Sequence, residues 1–380
     1  MHSLNKQKIQ ALALRAIMVM VLSGCTVSHT LSTTSEQSAV SEEEAQKATF
    51  NVPVRVGEFE IFDPKVLSIL DVSAKIRTLA TGFEWVEGPV WSIVDQALLF
   101  SDIPTHKVYR YKDGQGVSEF IPHSGFSNGL LINEQNELVL MQSRSRQIAK
   151  WRGSVFTHTD GQADSTVPLT SQKSLAPERT FSADNFITLA NNYQGQMLNS
   201  PNDGVLSSSG HAKGTLYFTD PPYGLPKQLD DLAKELDFQG VYALSPKGEL
   251  TLLDKTLVYP NGIALSPDEK TLYVAASNPN KPAWYAYSID DEGRVHNRKT
   301  FHQAPAQSDA SHGLPDGLKV HRSGVVFATG PGGIWLFDPS GTLLAKVHMP
   351  SISANLAFNA DQTRVFVTAH NQLLSFSLKP

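Results

Sequence analysis

Apolar runs and polar turns alternate along most of this chain, from about Ala74 to the C-terminus. Ala97–Asp102, Glu137–Met141, Thr215–Asp220, Thr271–Ala275, Val325–Thr329 and Arg364–Thr368 are rich in β-branched and aromatic residues. Turn residues such as Ser266-Pro267-Asp268-Glu269 and Asn359-Ala360-Asp361 precede several of them, so the runs read as strands. A second set follows a turn later, in Lys107–Tyr111, Gly240–Leu244, Trp284–Tyr287 and Gly333–Phe337, and each of these leads into a polar turn and a short outer strand.

Ahead of each first-set strand stands a short segment in which an oxygen-bearing or small residue meets a glycine or its equivalent. The segments are Trp85–Trp91, Phe126–Leu130, Ser200–Val205, Tyr259–Ile263, Leu314–Leu318 and Ser353–Ala357. Aligned on positions 88, 129, 204, 262, 317 and 356, the units are 41, 75, 58, 55 and 39 residues apart. The shorter spacings suit a four-stranded propeller blade of about 40 to 50 residues, with the excess in loops. The fold predicted is all-β, a six-bladed β-propeller. Leu373–Leu378 are expected as an inner strand of the last blade, and Lys75–Leu79 as its outer strand, joining the ends of the ring. Residues 58–70 suit a short helix or turn. Residues 153–198 exceed what a blade edge needs. In 221–239, Leu225, Leu229, Leu232 and Leu236 fall at helical spacing, which suits a short amphipathic helix or a capping loop.

Composition narrows the function. The 380 residues are 41% hydrophobic and 18% charged, and a net charge of −5 excludes an electrostatic footprint for nucleic acid. The lone cysteine, Cys25, excludes an internal disulfide and a thiolate zinc site. Its setting is a basic start (Lys6, Lys8, Arg15), the apolar run Ala16–Leu22, and then Leu22-Ser23-Gly24-Cys25. This resembles a bacterial lipoprotein signal, with Cys25 as the lipidated residue; an ordinary cleaved signal or a poorly inserted anchor is the alternative. Thr26 at the next position resembles the outer-membrane sorting class, which implies a lipid-anchored protein of the cell envelope facing the periplasm. Residues 1–25 are thus assigned to the signal, 26–49 to a disordered polar tether rich in Ser, Thr, Glu and Gln, and 50–380 to the propeller.

The innermost strand of each blade faces the central channel, so residues at its start ring one opening. These are Glu87, Asn128, Asn202 or Asp203, Asn261, Asp316 and Asn355. Asn-Gly and Asp-Gly are also common turn pairs. Glu87, however, sits between Trp85 and Trp91 in an apolar run, where a carboxylate is costly unless paired or metal-bound. The oxygen set favours Ca²⁺, Mg²⁺ or Mn²⁺ over soft metals.

The phrases Gly82–Trp91, Leu198–Asp203, Tyr217–Leu225, Tyr259–Gly262 and Leu314–Gly317 resemble the gluconolactonase/regucalcin (senescence marker protein) family, most closely its bacterial gluconolactonase branch, from about residue 58 to the C-terminus. The resemblance implies one divalent metal in the channel, Ca²⁺ first, with Mg²⁺, Mn²⁺ or Zn²⁺ as alternatives. Glu87, Asn261 and Asp316 match the family's metal ligands, and Asn202 matches the channel asparagine that lies beside the metal and contacts substrate or water, so it is expected among both the metal and the catalytic residues. Asp316 matches the general base, and Asp203 is expected to orient the Asn202 loop. Asn128, Tyr223, His312 and Asn355 are expected to line the substrate pocket. The implied reaction is lactone opening by water on a metal-polarised carbonyl. A phosphotriesterase- or aryl-esterase-like hydrolase and a non-catalytic ligand-binding propeller are the alternatives. Ser200, Gln196-Met197 and Met141-Gln142-Ser143 depart from the family pattern and alter the pocket walls. No His-Glu-x-x-His or P-loop competes.

Overall fold

Short strands with one face toward each neighbouring sheet can bury both faces only by packing radially, and the chain does so. The computed structural model describes residues 53–153, 183–306 and 312–380. The signal and tether assigned to residues 1–49 lie outside them, as does most of the long insertion after Gly153. Six antiparallel sheets follow one another, numbered here as blades 1 to 6. Their inner strands are Val86–Ser92, Ser127–Ile132, Gly204–Leu206, Pro260–Leu265, Leu318–Val320 and Ser353–Phe358. Each inner strand contacts the next, and the sixth contacts the first, so the ring is closed.

Closure uses both ends of the described chain. Blade 6 takes three strands from the C-terminal region and its outer strand, Arg77–Thr81, from the N-terminal side. Gln372–Ser377 is the third strand of that blade, one place in from the edge and not innermost. Residues 54–61 form a hairpin, Val54–Val56 with Phe59–Ile61, whose second strand opens the stretch 58–70 read from the sequence as a short helix or turn. It extends blade 5 to six strands through the pairing of Phe59 with Val347. A 3₁₀ turn, Pro64–Ser68, follows, its first turn capped by the Asp63 carboxylate accepting from the Lys65 N–H at 2.9 Å.

Six apolar clusters fill the six gaps between adjacent blades. Blades 6 and 1 are joined by Phe83, Phe100, Phe366 and Leu373, with Trp91 stacked on Phe366 at 5.4 Å. Each fully buried phenylalanine there contributes roughly 2–3 kcal/mol.

The 221–239 segment is a loop. Its only helical piece is the 3₁₀ turn Gln228–Asp230, and Leu232 is 97% exposed. Leu225 and Leu236 are buried, but not on one helical stripe. Prolines at 221, 222 and 226 oppose a helix, and the buried Arg146 guanidinium pins the loop by donating to the Ala233 carbonyl at 2.8 Å.

Candidate active site

The sequence places a hydroxyl and then a carboxylate at the end of two second strands, as Ser101-Asp102 in blade 1 and Thr219-Asp220 in blade 3. The carboxylates hold their own blade's approach to the channel. Asp102 accepts from the Trp85 N–H at 3.0 Å, just before Glu87. Asp220 accepts from the Asn199 and Ser200 N–H groups at 2.8 and 2.7 Å, just before Asn202. The hydroxyls stitch each blade to the next: Ser101 to the Asn128 carbonyl, Thr219 to that of Asn261, Ser277 to that of Pro315 and Thr329 to that of Ala354, at 2.5–3.0 Å. Inner-strand register breaks at the ring itself, between Glu87 and Val90, Ser127 and Leu130, and Pro260 and Ile263. Such bulges re-aim side chains at rims and active sites.

These backbone bonds correct the repeat alignment. Gly129 N–H donates to the Asn202 carbonyl, and Gly317 N–H to that of Ala354, both at 2.7 Å. Thr219 N–H donates to Asp203 as Thr329 N–H donates to Gly317. The true equivalents of Gly88, Gly129, Gly262 and Gly317 are therefore Asp203 and Asn355, one residue before the positions 204 and 356 suggested by the sequence. The channel mouth has two tiers. Glu87, Asn128, Asn202, Asn261 and Asp316 occupy the upper tier, where blade 6 supplies only Ala354. The lower tier holds four glycines together with Asp203 and Asn355.

Those glycines do more than admit strands to the channel. A Cβ on Gly88 would lie 2.0 Å from the Asn128 carbonyl oxygen, and one on Gly317 would lie 2.1 Å from the Asn355 side chain. Their absence of side chain lets the inner strands close up and leaves room for Asp203 and Asn355. Blades 3 and 6 stand opposite in a ring of six, and Asn355 Nδ2 donates to Asp203 Oδ2 at 3.1 Å, so these two side chains bridge the channel. Lys319 Nζ reaches the same pair, 3.5 Å from Asp203 Oδ2 and 3.5 Å from Asn355 Oδ1.

The upper tier is differently endowed. Glu87, Asn128, Asn202 and Asn261 are buried, and Asp316 is half-buried. Asp316 keeps accessible surface because it faces the channel, yet protein encloses that void and solvates the carboxylate poorly. Burial pushes the Glu87 carboxyl up to about 8; the Asp203 charge adds to this, while the Gly88 N–H, Asn355 and Lys319 oppose it. Asp316 is raised well above the usual carboxylate range, first by burial and then by the charges of Glu87 and Asp203. Asn128 Oδ1 and Asn261 Oδ1 are buried without a hydrogen-bond partner among the described residues. Asn261 spends its amide on Ser277 Oγ at 2.9 Å, which leaves its oxygen open. A buried acceptor left unmet costs about 1–3 kcal/mol. Two poorly solvated carboxylates beside two unmet amide oxygens are the donor set of a hard divalent cation, so the residues present fit such an ion.

Tyr223 stacks on Tyr259, with centroids 5.5 Å apart and planes at 7°; the residue is 36% exposed, but protein encloses its phenol, which is pushed far up by poor solvation and then by the charge of Asp316. Tyr223 thus stands over the ring. Tyr259 and Phe126 hold left-handed backbone, φ +55° and +58°, just before the inner strands of blades 4 and 2. Bulky residues rarely adopt that region, and such outliers gather at functional sites. Two of the residues that depart from the family pattern bond to neighbouring backbone: Ser200 Oγ donates to the Pro221 carbonyl, and Gln142 Nε2 to that of Ser124.

Asn355, expected as pocket wall, is instead committed to the bridge. Its oxygen accepts from Leu356 N–H and Lys319 while its amide serves Asp203. His312 is exposed on the loop leading to Asp316, and Cys25 lies outside the described residues. Sequence reasoning missed Asp102, Asp220, Tyr259 and Lys319. The Ser/Thr-Asp pairs ending two second strands carried a usable signal for the first two. Cavities of about 570 and 400 Å³ open elsewhere, lined by Asn191, Tyr193 and Leu250 in one and by His211, Tyr217 and Arg294 in the other. Neither includes a ring residue.

Fold and ring together define a six-bladed propeller with an acidic, oxygen-lined channel mouth. The chain belongs to the SMP-30/gluconolactonase/LRE-like family, whose sequence profile matches residues 85–371. It is similar to a gluconolactonase of Zymomonas mobilis, 32% identical over 341 residues that cover 85% of this chain and 87% of the relative. A solved gluconolactonase from Xanthomonas campestris superposes with a TM-score of 0.67 at 29% identity, covering 84% of this chain and 94% of that one. Diisopropyl-fluorophosphatase of Loligo vulgaris is 24% identical over 168 residues, covering 42% of this chain and 51% of the relative.

Proposed function

We propose that this protein hydrolyses lactones, sugar lactones of the gluconolactone type first, at the upper tier of the channel. One observation carries the reading: Glu87 and Asp316 are enclosed carboxylates without a neutralising side chain of their own, beside the unmet oxygens of Asn128 and Asn261. A scaffold has no need of them. Similarity to gluconolactonases over most of the chain supports the substrate class.

Glu87, Asn202, Asn261 and Asp316 would hold one divalent ion, Ca²⁺ in the first instance. When bound, the ion supplies Lewis-acid polarisation of the lactone carbonyl and offsets the negative charge that develops on its oxygen. Asp316 accepts a proton from the attacking water, whose oxygen bonds to the carbonyl carbon. As the ring C–O bond breaks, that proton passes to the departing alkoxide, and the product is the open hydroxy acid. Asn202, whose side chain makes no hydrogen bond among the described residues, orients the water. The Tyr223 phenol stays protonated, its ionisation opposed by burial, and it donates to the substrate from above while the Tyr223–Tyr259 stack bounds the pocket.

The test is hydrolysis of glucono-δ-lactone and a lactone panel, with and without chelator and with added Ca²⁺. The expected result is turnover that chelator removes and Ca²⁺ restores. No turnover on any lactone overturns the substrate class, and chelator-insensitive turnover overturns the metal assignment. The likeness to diisopropyl-fluorophosphatase puts phosphoester hydrolysis second, so one phosphotriester and one aryl ester belong in the panel.

A further inference from the structure

Two residues beyond the lower tier, the six inner strands carry Val90, Leu131, Val205, Ala264, Lys319 and Ala357. Five are apolar and one is a lysine. The five apolar residues pack into the clusters between adjacent blades, and a long cationic side chain at the equivalent position loses conformational freedom and solvation, so its place calls for a physical reason.

The reason is visible in what the ammonium reaches. Lys319 Nζ donates to the Leu318 carbonyl at 3.1 Å, contacts Asn355 Oδ1 at 3.5 Å and pairs with Asp203 Oδ2 at 3.5 Å. Asp203 is 3% exposed, and its other oxygen accepts from the Gly204 N–H at 2.9 Å. Both Asp203 oxygens and the Asn355 oxygen are therefore occupied by protein donors. Three carboxylates, Glu87, Asp203 and Asp316, approach closely enough to influence one another. Only Asp203 has a cation of its own. The ammonium also lies near enough to Glu87 to oppose the upward shift of its carboxyl.

We propose that Lys319 is a positioning residue that serves as the internal cation of the channel. It locks Asp203 and Asn355 into a floor beneath the upper tier and withholds Asp203 from any bound metal. A divalent ion is thereby confined to the Glu87, Asn202, Asn261 and Asp316 side, and its affinity is held down by a fixed positive charge in the same poorly solvated channel. This inference rests on the metal reading above.

Calorimetric titration of the metal-free protein with Ca²⁺ tests it without reference to turnover. The wild type is expected to bind one ion per chain. Lys319→Met keeps much of the stem and removes the charge, and it should bind Ca²⁺ at least about tenfold more tightly. Lys319→Arg, which keeps the charge, should stay within about threefold of the wild type. A loss of packing alone would not move affinity upward, nor be rescued selectively by arginine. If the methionine variant fails to fold, as its melting curve will show, Lys319→Gln carries the same test. Wild-type binding with neutral variants inside threefold overturns this inference alone. A wild type that binds no divalent ion overturns it together with the metal reading.

Discussion

The two tiers of the channel are made by adjacent residues of the same inner segments, and most of their polar side chains are buried alike, yet their chemistry differs. In the lower tier Asp203, Asn355 and Lys319 spend their polar atoms on one another and on neighbouring backbone, and Asn355 also reaches Glu87. In the upper tier, Asn128 and Asn261 keep unmet oxygens and Glu87 and Asp316 lack a lysine or arginine of their own. Burial therefore does not mark the reactive acids of this ring. Saturation does: a carboxylate already paired and hydrogen-bonded is architecture, and one left with spare acceptor capacity is available for a ligand.

The sharpest way to break that contrast is to neutralise one acid from each tier. Asp316→Asn should lower kcat/KM by about 10³-fold or more while the melting temperature holds, as expected for a lost general base and ligand. Asp203→Asn should keep activity within roughly tenfold and lower the melting temperature instead, because it weakens a buried ion pair. Equal activity losses from both would dissolve the distinction between the tiers.

A smaller effect is expected beneath the ring. Asp220 is fully buried, and burial pushes its carboxyl up to about 7 against the two N–H groups it accepts. Asp220→Ala should cost about 2–4 kcal/mol in denaturant unfolding by orphaning those donors. Activity should fall less than in Asp316→Asn, since the Asn202 approach loosens but the ligands persist. A stability change below about 0.5 kcal/mol would show that the approach is held by other means.

A further effect is expected in pH dependence. Glu87 and Asp316 titrate above their unfolded values, so the metal-free folded state retains protons that the unfolded chain releases. Its stability should decline as pH rises from about 4.5 toward about 8, the window Glu87 sets. Melting temperatures in chelator should follow that decline, and Ca²⁺ should reduce it because the ion binds the deprotonated acids. A flat profile in chelator would show that these acids are not held up by burial.

Much of this was legible beforehand. The β runs and the spacing of the units specified six blades, because a four-stranded sheet buries its two faces only against copies of itself. The ring acids were legible in Glu87, an isolated carboxylate among apolar neighbours, and in the recurring Asn-Gly and Asp-Gly pairs. The gaps were local. Leucine spacing in 221–239 left a helix and a capping loop both open, and the structure holds the loop, because three prolines and the Arg146 tether oppose a helix. Alignment on glycine misplaced blades 3 and 6 by one residue, because in those two blades the glycine position is filled by Asp203 and Asn355.

The sequence by itself thus determined the repeat, its number and the residue types that face the channel, since these follow from local pattern and strand periodicity. It did not reveal which oxygens remain free. That depends on the hydrogen bond from blade 6 to Asp203 in blade 3, on Lys319 rising from blade 5, and on Ser277 claiming the Asn261 amide. Only ring closure brings residues so distant in the chain to within 3.5 Å of one another, and pairing at that range decides which groups are spent and which are left for a ligand.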